Sequence, residues 1–229
     1  GYYTYGAQDF DDDFNSVINS EKAVEFTDLW IDTIKKYGPS DWTNVAWFDL
    51  MERFAAGNYA MSLNTAFMAA TFEDESKSSV AGKVGYTVIP AGPDGNRSSN
   101  IWTWGLSMNS NSNNKDAAWL FMQWATGKDV LLASAQAGNL DPVRRSVWES
   151  DEVIAMTSVW DDGNWRKAVE QNLEEYAVWQ PTPHTELGAT WARWILALHQ
   201  IWSGEGATQD ILDQANQDID DILSNAGIK

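Results

Sequence analysis

The chain has no cysteine. Disulfides, cysteine nucleophiles and thiolate metal sites are therefore excluded, although the compartment is not fixed by that absence. Basic residues are scarce: 15 Lys and Arg face 33 Asp and Glu, for a formal net charge of −18. Phosphate backbones and anionic lipid surfaces are bound by basic residues, so this balance argues against nucleic acid and against electrostatic membrane attachment. It describes a strongly solvated surface suited to salty surroundings. No apolar run approaches the roughly 20 residues of a membrane span, so direct membrane insertion is not expected. The sequence also reads without a signal peptide.

Catalytic signatures are equally sparse. His184 and His199 are too far apart for a helical zinc pair, and HExxH is absent. No serine sits in a G-x-S-x-G elbow, and the Gly92-Pro-Asp-Gly95 run lacks the lysine of a phosphate-binding loop. The acids at 9, 11 and 13 have calcium-loop spacing, but Phe14 replaces the turn glycine and Ser20 the bidentate glutamate. No metal, cofactor or catalytic residue is expected. Carboxylates are numerous enough that a glycosidase pair is not excluded by counting.

Tryptophan, by contrast, is plentiful, with 14 in 229 residues. An indole offers a broad apolar face and one N–H donor, which suits the C–H faces and hydroxyl rim of a sugar or polyol. Most of the 14 are nevertheless expected in the core.

The chain is organised around Lys83–Phe121. Val84, Tyr86, Val88 and Ile89 have the branched and aromatic character of a strand. Gly92 to Gly95 is a turn signal. Ile101–Met108 is apolar enough for a second strand, in which Trp102 and Trp104 share a face. Ala117, Ala118, Leu120, Phe121 and Trp124 follow at helical spacing, with Asn113 or Asn114 as cap.

Elsewhere, helices are expected from Asn19 or Ser20 to Tyr37, with Phe26, Trp30, Ile34 and Tyr37 inward, and from Trp47 to Ala56. Tyr59–Leu63 reads as a buried strand, Asn64–Phe67 as the start of a short helix, and Thr71–Gly82 as an exposed loop. Further helices are expected over Lys128–Ala137, Asp151–Trp160 and Trp165–Tyr176. Trp179–His184 should be extended, because prolines and the residues before them resist helix. Thr185–Trp202 is then a helix with Leu187, Trp191, Trp194, Ile195 and Leu198 inward. Thr208 caps a last helix through Ile211, Leu212, Ala215, Ile219, Ile222 and Leu223.

The order of these pieces resembles the extracellular (family 1) solute-binding proteins of sugar and polyol ABC importers. The matching motifs are Val84-Gly-Tyr, Pro90-x-Gly-Pro-Asp-Gly, aromatic-Gly105-Leu and Asn114-Lys-Asp-Ala-Ala-Trp-x-Phe121. Phe54-Ala-Ala-Gly-Asn-Tyr-Ala-Met61 precedes them and Gly138-Asn-Leu-Asp-Pro-Val-Arg144 follows. The Trp102-x-Trp-Gly form looks most like the polyol-binding branch.

The resemblance implies an α/β, periplasmic-binding-protein-like fold of type II, the maltose-binding-protein-like kind, with two lobes and ligand in the cleft between them. It covers only the second half of such a protein. By analogy, residues 1–99 belong mainly to the C-terminal lobe, 100–140 return to the N-terminal lobe, and 141–229 supply C-terminal-lobe helices. The missing N-terminal half is then a partner, alongside the sugar or polyol and the membrane permease of the transporter. The implied location is periplasmic or extracellular, attached to the cell surface.

Site residues implied by the resemblance are Trp102, Trp104, Gly105 and Arg144, with Asn64 and Phe67 at a strand-to-helix corner, Tyr3 and Tyr5 near the cleft, and Trp191 at its floor. Core or edge packing competes for Phe67, Tyr3, Tyr5 and Trp191, and Arg145 is the rival of Arg144. Two other functions share the aromatic content: a glycosidase and a noncatalytic carbohydrate-binding module. The helical patterns do not suit the β-sandwich usual for such modules.

Overall fold

The structure, a computed structural model, describes residues 1–179 and 182–229. The helices in chain order are α1 (Glu21–Tyr37), α2 (Trp47–Ala55), α3 (Ala69–Phe72), α4 (Lys115–Ala125), α5 (Lys128–Gln136), α6 (Arg145–Trp148), α7 (Asp151–Thr157), α8 (Asn164–Gln171), α9 (Leu187–Ser203) and α10 (Thr208–Asn225). Among the described residues the only ladder joins β1 (Ser99–Asn100) to β2 (Ala177–Val178) in parallel, Ser99 opposite Ala177 and Asn100 opposite Val178.

The chain divides into two compact units. The first comprises 1–45, 89–102 and 173–229; the second comprises 46–88 and 103–172.

In the first unit, Ile31 of α1, Ala197 and Ile201 of α9, and Leu212, Ala215, Ile219 and Leu223 of α10 form one core with Ile18. On α10 the buried residues recur three and four apart, as the sequence pattern expects. The inward stripe of α1 differs from expectation. Ala23, Thr27 and Ile31 are buried, Phe26, Trp30 and Ile34 flank them, and Tyr37 is exposed. Small residues let α1 approach closely while the larger rings cover the seam. The same correction applies to α9, where Thr190, Ala197 and Ile201 are buried and Trp191 and Ile195 are exposed. Thr208 does not cap α10. Ala207 holds that position, and the Thr208 hydroxyl donates to Asp28 instead.

In the second unit, α5 to α8 enclose Ala135, Leu140, Val147, Val153 and Trp165 together with Ala69, and a smaller cluster joins Ala55, Met68 and Phe72. Ser150 caps α7 by accepting from the Val153 amide. The turn before α8 places Asp161, Asp162 and Gly163 at positive φ, and the Asp161 carboxylate accepts the Tyr86 amide at 2.8 Å.

The three expected strands are not formed, although the Ile101 amide at the start of the last one donates to Val178. Residues 59–63, 84–89 and 101–108 carry no strand among the described residues, and Met61 and Leu63 are exposed rather than buried. Strand propensity reflects fit to a half-buried pleated surface, and it is realised only against a partner strand. Helix α4 forms at the expected helical spacing but has no buried residue, and Leu120, Phe121 and Trp124 are exposed. Of the segment expected to be extended before α9, Gln180 and Pro181 lie outside the described residues; Thr182 to His184 follow no regular element.

Candidate functional site

In the first unit a chain of polar contacts sets up the start of α9. The buried Asp9 carboxylate accepts the Thr182 amide at 2.8 Å and its hydroxyl at 3.0 Å. His184 Nδ1 lies 2.8 Å from the Thr182 carbonyl, which can only accept, so Nδ1 carries the proton there. His184 Nε2 lies 2.9 Å from the Thr190 hydroxyl in the first turn of α9. These bonds fix the entry of the helix, and Trp191 is the next residue.

Trp191 stacks on Trp102, with ring centroids 5.8 Å apart and planes 16° from parallel. Trp102 owes its place to the ladder just before it, where the Ile101 amide donates to Val178. The two indoles are 39% and 49% exposed, so the pair presents apolar surface to solvent. A narrow hollow beside Trp191 is lined by Asp9, Phe10, His184, Thr190 and Trp194.

The N-terminal aromatics pack into the same unit. Tyr2 meets Trp194 edge-on at 4.8 Å, and Tyr5 packs against Phe26, with the Lys22 ammonium 5.6 Å from its ring. Burial, with the Asp9 carboxylate beside it, raises the Tyr3 phenol above its ordinary value and keeps it a donor. Thr4 binds the Ser98 backbone in both directions, and its carbonyl comes so close to Gly92 that a Cβ there would lie 2.0 Å from it. Gly92 is therefore required where the N-terminal stretch crosses the segment leading to β1.

In the second unit, Trp104 is 87% exposed and Gly105 has open space where a side chain would stand. Arg144 Nε donates to the Thr126 carbonyl at 2.8 Å, and its terminal amino groups make no hydrogen bond among the described residues. Arg145 instead pairs with Glu149 one helical turn on, at 3.3 Å. Asn64 Oδ1 accepts the Thr65 amide, and Phe67 packs edge-on to Trp47 and against the smaller core cluster.

The structure thus joins Trp102 to Trp191 and gives Phe67 a packing role. Asp9, Thr182, His184 and Thr190 were missed as supports of Trp191. His184 preceding Thr190 by six residues was a weak signal, because it becomes a contact only once α9 is in place. Two of the three carboxylates with calcium-like spacing are otherwise engaged: Asp9 holds Thr182, and Asp11 holds Asn15. Among the described residues, no three His, Asp or Glu side chains gather to hold a metal ion.

Residues 1–131 match the family of bacterial extracellular solute-binding proteins. The chain belongs to that family. It is 35% identical over 211 residues to the erythritol/L-threitol-binding protein of Mycolicibacterium smegmatis, covering 90% of this chain and 43% of that protein. It is 25% identical to the mannitol-binding protein of Pseudomonas aeruginosa, over 66% of this chain and 35% of that protein. Maltose-bound MalE3 of T. maritima superimposes with a TM-score of 0.84 at 19% identity, over 97% of this chain and 56% of that one. A solute-binding protein of Agrobacterium vitis with bound D-mannitol gives 0.80 at 19% identity, over 99% and 57%. The fold is the type II binding-protein fold, as the family resemblance implied. The chain spans about half the length of these relatives. Among the described residues no helix is long and apolar enough to cross a membrane.

Proposed function

We propose that the chain is part of the solute-binding component of an ABC importer, that it captures a neutral polyol or sugar, and that it delivers the ligand to a membrane permease unchanged. The observation that carries this reading is the stacked, half-exposed pair Trp102–Trp191. Parallel indoles that present apolar surface suit the C–H face of a polyol, and the polar edge nearby suits its hydroxyls. Trp104, with open backbone at Gly105, is the corresponding aromatic of the second unit, and Arg144 is its hydroxyl donor. Tyr3, Tyr5, Asn64 and Phe67 are secondary contacts. The names of the relatives support the ligand class: erythritol or threitol for one, mannitol for another.

The site is a binding site and not a catalytic one, and the protein works in the periplasm or outside the cell, attached to its surface. Of the two units, the first belongs to the C-terminal lobe.

Equilibrium dialysis against erythritol, mannitol and maltose tests the reading. Retention of at least one ligand, recovered chemically intact by chromatography, is expected. Recovery of a cleaved or oxidised product would replace transport by catalysis.

A further inference from the structure

The hollow beside Trp191 in the first unit has a volume of about 20 Å³. Leu187, Thr190, Trp191 and Trp194 of α9 line it, at the three- and four-residue spacing that brings helical side chains to one face. Asp9 and His184 complete its polar lining, and apolar side chains make up the rest. A space of roughly 10–15 Å³ admits one water-sized group, so this hollow takes a single hydroxyl and no sugar ring.

Most of the polar groups around it are already spent. The Asp9 carboxylate accepts the Phe10 amide at 3.1 Å as well as both donors of Thr182. His184 uses both ring nitrogens. Two capacities remain. The Trp194 Nε1–H is buried and has no hydrogen-bond partner among the described residues. Buried donors without an acceptor are rare, because they forfeit their hydrogen bond to water. Thr190 Oγ1 has two lone pairs, and of the groups bonded to it only the His184 ring can donate, so it can accept once more whichever way its own hydrogen turns. One free donor and one free acceptor are the complement of a hydroxyl, which both accepts and donates. An ammonium could not accept the indole N–H, and a carboxylate could not donate to Thr190 and would be repelled by Asp9.

We propose that the hollow is a subsite for one primary hydroxyl. The CH2OH end of the ligand enters it, accepts from Trp194 Nε1 and donates to Thr190 Oγ1, while the carbons behind it lie against Trp191. A hydroxyl on a freely turning arm reaches into a narrow hollow, whereas a ring hydroxyl is held back by the bulk of its ring. The ligand is then a polyol or sugar with a hydroxymethyl terminus, recognised end-on. This subsite rests on the reading that the chain binds a polyol or sugar.

Calorimetric titration with matched ligand pairs tests it. Erythritol is compared with meso-2,3-butanediol, its counterpart without terminal hydroxyls, and mannitol with 1,6-dideoxymannitol. For whichever polyol the parent binds, the dideoxy compound should bind about tenfold more weakly. The same pairs are titrated into Trp194→Phe, which removes the N–H, and into the near-isosteric Thr190→Val. Each variant should narrow the gap by about fivefold, since packing lost with the side chain weakens both members of a pair alike and cancels in the comparison. No gap in the parent, or a gap undiminished in both variants, would overturn the subsite and leave polyol binding standing. Failure of both polyols to bind would also overturn it; the binding reading survives that result if maltose is retained and falls with the subsite if it is not.

Discussion

At the scale of single residues, the two neighbouring arginines separate cleanly. Arg145 is engaged with Glu149, whereas Arg144 is anchored through Nε alone, which leaves the outer part of its fork for the ligand hydroxyl we propose it binds. Lysine preserves the charge and loses the fork. Arg144→Lys should therefore weaken polyol affinity by roughly ten- to a hundredfold, the equivalent of a charge-assisted hydrogen bond, while Arg145→Lys leaves it at the parent value. Titration calorimetry checks both, and a larger loss at Arg145 would shift the assignment by one residue. The pairing of Trp102 with Trp191 was not legible in the sequence, since 88 intervening positions hide a contact that exists only through the β1–β2 ladder and the entry of α9. The aromatic types were legible; their partners were not.

At the scale of elements, α9 depends on a group far from it in sequence. Asp9 satisfies two donors of Thr182, so Asp9→Ala leaves both without their acceptor and should destabilise the first unit by about 1–3 kcal/mol. A denaturant midpoint unchanged from the parent would contradict this. The contact of α9 with α10 has a pH dependence of known sign. Arg193 donates to Asp218 at 2.5 Å, and that hydrogen bond holds the Asp218 carboxyl below its ordinary value. A depressed folded value stabilises the protein above the unfolded value near 3.8 and ceases to do so as pH falls through the folded value. Asp218→Asn should cost about 1 kcal/mol near neutrality, since the Asp218 side chain is 37% exposed, and the loss should shrink in strong acid. Thermal melts from pH 7 downward read this out, and a deficit that grows in acid would refute it.

Helices were legible in the sequence because apolar period and end signals act within the element. The strands expected over 59–63, 84–89 and 101–108 were not realised, because a strand needs a partner from elsewhere in the chain or beyond it. The α9 stripe was misjudged for a related reason: tryptophan is apolar by any scale, yet Ala197 and Thr190 lie against the neighbours and Trp191 faces outward.

At the scale of the whole molecule, charge dominates. Helix α10 carries Asp210, Asp213, Asp218, Asp220 and Asp221 with no Lys or Arg of its own, and Lys229 reaches back to Asp220 at 3.0 Å. Such like-charge crowding is screened by salt, whose Debye length falls from about 10 Å at 0.1 M to about 3 Å at 1 M. The melting temperature should rise by several degrees over that range, as scanning calorimetry will show; a flat or falling temperature would mean that self-repulsion is not limiting.

The central claim is that aromatic faces of this chain take up a neutral polyol or sugar. The most direct measurement is a titration of tryptophan fluorescence with erythritol, mannitol and maltose, on the parent and on Trp191→Ala and Trp102→Ala checked for unchanged far-ultraviolet dichroism. The prediction is a saturable change for at least one ligand in the parent, and a loss of about 1–3 kcal/mol in affinity in either variant, by analogy with bases stacked on aromatic side chains. No saturable change with any of the three, or variants that bind as tightly as the parent, would contradict it.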